Sequence, residues 1–153
     1  MARIYEVSFP CVTVTSAQTL LYLTAPSTMC GRIRYASAVI ADVDTNEQTY
    51  CTLQRITTLG TPTGTTVVPA KTSPGDAASS FTCKADITAA EPSYTADTEV
   101  GHEANPSLSG WRFQPLRPEE YMDIAPSASV GVRLRGAIAS STVVVRVVFE
   151  EIG

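Results

Sequence analysis

The sequence predicts an all-β chain, a sandwich or barrel, on three observations. Side chains alternate with a period of two in about eight short segments. Pro, Gly, Asn, Asp and Ser punctuate the gaps between them, and no stretch carries an amphipathic helical repeat. Of the 153 residues 44% are hydrophobic and only 17% charged, well under the roughly 25% charge usual in soluble domains. A chain of this length can bury roughly 70% of its extended surface without disulfides or metal, so a single domain over residues 1–153 is expected.

The last strand is the clearest. In Thr142–Phe149 one parity (Val143, Val145, Val147, Phe149) is wholly apolar and reads as the core face. The other parity (Val144, Arg146, Val148, Glu150) mixes valine with charge. That mixture suits a central strand whose outer face is covered by a neighbouring subunit or a further layer.

At the other end, Tyr5, Val7 and Phe9 define an inward parity for a first strand, and Pro10 ends it or marks a sheet edge. Val12–Val14 and Ala17–Thr24 read as a second extended stretch before the turn at Pro26. Residues 31–41 and 48–56 are strands, expected to form a hairpin around the loop 42–47. Residues 58–80, rich in Thr, Pro and Gly, read as a long interaction loop holding at most a short strand at Val67–Val68. Strand character resumes at Phe81–Thr88, at an edge within 94–104, and at Trp111–Phe113. Leu116–Tyr121 is a turn constrained by Pro118 and the preceding Pro115. Met122–Ala125 and Ala128–Gly136 complete the set before the terminal strand.

Charge excludes one class of function. At a net charge of −4, no basic surface can neutralise many phosphates, so nucleic acid is not an expected partner. Nine of the eleven basic residues are Arg, spread along the chain, a composition that favours protein interfaces over solvated surface. No apolar run reaches the length of a membrane helix, and the first residues carry no apolar segment behind a basic one. Cys11, Cys30, Cys51 and Cys83 are far apart, with no paired spacing, and are expected as free thiols.

Candidate chemistry is sparse. Asp42-Val43-Asp44-Thr45-Asn46 opens like a calcium loop, but Glu47 stands where the turn needs Gly and Leu53 where the bidentate Glu belongs. His102, beside Glu103, is the only histidine, with no second ligand at metal spacing and no nucleophile motif for it to serve. Glu119 and Glu120 are adjacent and point apart in an extended chain, so they cannot flank a scissile bond; pairing with Arg117 or another Arg is expected. Trp111, Phe113 and Tyr121 could form a sugar-stacking platform, although aromatics on an inward parity belong more often to a core. No cofactor, metal or catalytic residue is expected.

Three stretches carry a resemblance. Ala2-Arg3-Ile4-Tyr5-x-Val7-x-Phe9, then Gly110-Trp111-x-Phe113-x-Pro115-x-x-Pro118-Glu119-Glu120, and finally Phe149-Glu150-Glu151-Ile152-Gly153 together resemble a group of small tailed-bacteriophage virion proteins. The class it points to is the capsid decoration (cement) proteins, many of them β-sandwich or jelly-roll trimers on the outer shell. The resemblance implies a jelly-roll sandwich, a homotrimer, the major capsid protein as partner, and a place on the capsid surface after synthesis in the host cytoplasm. Arg3, Tyr5, Arg117, Glu119, Glu120, Val144, Arg146 and Val148 are the candidate interface residues. Two other roles fit the same scaffold: a tail, collar or fibre-associated virion module, and a carbohydrate-binding module with weak glycan contacts.

Overall fold

The computed structural model describes residues 2–42, 48–106 and 110–153; the side chains of Thr49 and of residues 102–106 lie outside that description. The calcium-like loop after Asp42 and the side chains of His102 and Glu103 therefore fall outside it.

Among the described residues thirteen strands follow one another: β1 (Arg3–Val14), β2 (Gln18–Thr24), β3 (Cys30–Ile40), β4 (Gln48–Thr58), β5 (Thr63–Val67), β6 (Ala70–Lys71), β7 (Thr82–Ala89), β8 (Ser93–Tyr94), β9 (Val100–Pro106), β10 (Trp111–Phe113), β11 (Met122–Ile124), β12 (Ser129–Leu134) and β13 (Ser141–Ile152). A 3-10 turn, Pro118–Glu120, precedes β11. Two sheets pack face to face. The first runs β10–β3–β13–β1–β6, with β11 also on β3; the second runs β5–β7–β2–β12–β4–β8, with β9 also on β4. Every pairing is antiparallel. The chain is an all-β sandwich.

The terminal strand lies at the centre of the first sheet, between β1 and β3. Val143, Val145, Val147 and Phe149 are fully buried. They join Leu21, Leu23, Leu53, Val130, Val132 and Leu134 of the facing sheet in one apolar cluster, which is how two half-apolar sheets remove their inner faces from water. Phe149 stacks on Tyr5 with ring centroids 5.7 Å apart and tilts against Phe81 at 5.0 Å.

Three expectations need correction. Residues 31–41 and 48–56 do not form a hairpin: β3 belongs to the first sheet and β4 to the second. The segment 58–80 is not one long loop. Its β5 pairs with β7 on an edge of the second sheet, and its β6 pairs with β1 on an edge of the first. Thirteen strands replace about eight, because short edge strands carry too few residues to show a period.

Proline 10 does not end its strand. There β1 is paired with β13 on one side only, since β6 reaches no further than Tyr5 and Glu6, so the missing N–H faces an open edge. The strand bends instead at Thr13, whose φ of 56° sits in a register shift between Cys11 and Val14. That bulge carries the chain from the first sheet to β2 of the second.

The outer face of the second sheet is covered by the chain itself. Residues 91–99 lie across it, and polar side chains beneath them are buried: Thr19 and Thr52 fully, Gln54 to 2% exposure. The Glu91 carboxylate accepts from the Thr19 hydroxyl at 2.5 Å and from the Thr19 N–H at 3.0 Å. Arg133 stacks over Tyr94 at 4.1 Å and donates to Gln54 at 3.1 Å.

All four cysteines are free. Burial pushes the Cys11, Cys51 and Cys83 thiols up to about 12, so almost no thiolate, the reactive form, exists near neutrality. Cys30 is half-buried and donates weakly to the Ile152 carbonyl at 3.3 Å. A thiol reagent at pH 8 is expected to titrate Cys30 alone in the native protein and all four thiols in denaturant. Rapid native reaction of more than one thiol would contradict this burial.

Candidate functional site

Two surface features can meet a partner. The first is the outer face of the first sheet, whose register sets side chains in rows across β1, β13 and β3. Pro10, Val144 and Val39 form one row, Ser8, Arg146 and Ser37 the next, and Glu6, Val148 and Tyr35 the third. Val144 is 37% exposed and Val148 half-buried. Between them Arg146 makes a bidentate pair with Glu6, at 2.8 and 2.7 Å, and its guanidinium lies 5.4 Å from the Tyr35 ring centre.

That arrangement explains how a charged residue sits in an apolar stripe. The Arg146 hydrogen bonds hold the Glu6 carboxyl below its usual range, so both groups are ionised and cancel at neutral pH. The pair's small contribution is present above the unfolded carboxylate value and fades in acid, as pH falls through the lowered one. The face therefore has apolar side chains and no net charge at its centre. Such a surface loses little by being desolvated.

Tyr5 does not belong to this face. It is fully buried, its hydroxyl donating to the Ala77 carbonyl at 3.0 Å, because the inward parity of β1 takes it into the core. As an interface residue it is corrected. Arg3 shares that parity and lies across from Glu151 at the β1–β13 pairing, half-buried.

The second feature is the tip between β10 and β11. Arg117, Glu119 and Glu120 are all exposed there. Glu120 does not pair with an arginine among the described residues. Its carboxylate accepts the backbone N–H groups of Leu116 and Arg117 at 3.0 and 3.3 Å, and its own N–H closes the turn onto the Arg117 carbonyl at 3.0 Å. Two prolines and this cap fix a rigid tip from which Leu116 projects, 91% exposed. Sequence reading missed Leu116, although Pro-Leu-Arg-Pro-Glu-Glu carries the signal: an apolar residue between two φ-restricting prolines, with a carboxylate placed to cap the turn.

Beside the tip, the edges of the two sheets leave a cleft of about 340 Å³ lined by Arg55, Asp97, Val100, Tyr121 and Met122 among others. A second cleft of about 390 Å³ shares Arg55 and runs along β11 past Ile124 to Ile152. No cluster of three potential metal ligands occurs among the described residues. Trp111 is fully buried, with its indole N–H donated to the Gly101 carbonyl, so it offers no face to a glycan. Gly101 has to be glycine twice over: its φ is +67°, and a Cβ would stand 2.9 Å from the Trp111 ring.

No family model, curated protein or solved structure matches the chain.

Proposed function

We propose that this chain is a structural virion protein: a decoration (cement) protein that binds the outer surface of a bacteriophage head as a homotrimer and stabilises it. The observation that carries the proposal is the outer face of the first sheet, where Val144, Val148, Val39 and Tyr35 surround an internally neutralised Arg146. None of these valines serves the fold's own core, and a surface of this kind is suited to being covered in an assembly.

The strand order is in keeping with this reading. Setting aside the insertion β5–β7 and the short strands β8 and β11, β1–β13–β3–β10 faces β2–β12–β4–β9, the interleaving produced by a jelly roll, a scaffold recurrent in viral capsid proteins. The insertion adds β6 to one edge of the first sheet and β7 and β5 to one edge of the second, giving two rims through which the sandwich can reach a neighbour. Shell proteins supply the partner, the major capsid protein first among them.

The test compares particles assembled with and without the protein under heat or osmotic shock. Loss of the protein is expected to lower the temperature at which heads release their contents, and unchanged shells would count against the role. Copies per particle then separate a head protein, present in the hundreds, from a tail, collar or fibre module present in far fewer.

A further inference from the structure

We propose that the Leu116–Arg117 tip of one copy inserts into the Asp97–Met122 cleft of a second copy, so that this knob-and-cleft contact builds the homo-oligomer. The inference rests on the reading that the chain self-associates. The two halves of the contact match in chemistry. Leu116 is 91% exposed on a tip made rigid by Pro115, Pro118 and the Glu120 cap, so it docks without a further loss of loop freedom. The cleft sets Val100, Tyr121 and Met122, which Leu116 would meet, among the polar side chains of Arg55, Asp97, Thr98, Glu99 and Glu120, which would meet Arg117.

Charge sets the register. Arg117 and Asp97 are both exposed, and neither has an ion-pair partner among the described residues. The cleft's Arg55 is engaged with the Asp123 carbonyl at 2.6 Å, Glu99 with Arg135 at 3.2 Å, and Glu120, which also lines the cleft, with the N–H groups of Leu116 and Arg117. Asp97 is thus the carboxylate left for an incoming cation, and Arg117 is the cation that follows Leu116. Knob and cleft differ, so the contact is heterologous, and three such contacts can close into a ring.

Light scattering on the purified full chain at micromolar concentration tests this. The wild type is expected to be oligomeric. Leu116→Asp, Arg117→Asp and Asp97→Arg are each expected to weaken association at least tenfold, with unchanged far-UV circular dichroism because all three side chains are exposed. The double variant Arg117→Asp/Asp97→Arg is expected to associate again. A monomeric wild type overturns the contact, as does a double variant that stays dissociated. An oligomer that survives Leu116→Asp but is dissociated by Val144→Asp also overturns it, while leaving the proposed function and its sheet-face surface in place.

Discussion

Replacing Val147 by Asp is expected to leave no folded protein, whereas replacing Val144 by Asp three residues away is expected to leave the fold intact and abolish assembly. Both lie on β13, and the difference between them is one of parity. Val147 is fully buried and sits across from Val7 on β1 and Ala36 on β3, both buried. A carboxylate there has no cation and no donor to meet it. The cost of burying it is several kcal/mol, against a total stability of about 5–15 kcal/mol for a natural domain. Val145→Asp should behave the same way.

Val144 lies between Pro10 and Val39 with 37% of its surface in water. Asp at that position keeps its hydration and loses mainly strand preference, about 1 kcal/mol at most. A shift in melting temperature of a few degrees is the expected ceiling. What changes is the outer face, which acquires an unpaired negative charge in the middle of its apolar stripe and next to the Arg146–Glu6 pair. Soluble yield, circular dichroism and a thermal melt report the fold, and light scattering and co-sedimentation with heads report assembly. If Val144→Asp and Val147→Asp behave alike, the reading of this strand as a core face backed by an interface is wrong.

What could be read from the sequence follows from the range of the interactions involved. The period of two in β13 and β1 is local, set by a pleat that turns each successive side chain over, and it places Val143, Val145, Val147, Phe149 and Tyr5 on the core face, where they are buried. Which sheet a strand joins is decided elsewhere. Nothing between residues 40 and 48 states that β3 and β4 part company; that depends on β13 claiming β3 and on β12 claiming β4. Thr13 gives no warning of its bulge, since threonine seldom adopts positive φ. The strap over the second sheet was invisible for the same reason: Thr19 meets Glu91 and Tyr94 across more than seventy residues. Glu120 reads in sequence as a charge awaiting an arginine, but its carboxylate meets two N–H groups within four residues of itself.

Glu151 poses the opposite problem, an acidic residue on the inward parity of β13 that is 2% exposed. Its Oε1 accepts from the Ser79 hydroxyl at 2.5 Å, the Ser80 N–H at 2.8 Å and the Phe81 N–H at 3.4 Å. It has no ion pair among the described residues. The carboxylate thus closes the connection between β6 and β7 onto β13 and seats Phe81 against Phe149. Glu151→Ala removes the acceptor and strands two backbone donors at the edge of the core, for an expected loss of about 2–4 kcal/mol. Glu151→Gln keeps an acceptor oxygen of the same reach but not its charge, and should lose about half as much. The damage should be local before it is global. Amide exchange at residues 79–81 should accelerate in both variants, because the clasp opens while the two sheets stay packed. An unchanged melt for Glu151→Ala, or exchange that rises uniformly across the sandwich, would show that the insertion is held by its strand pairings alone.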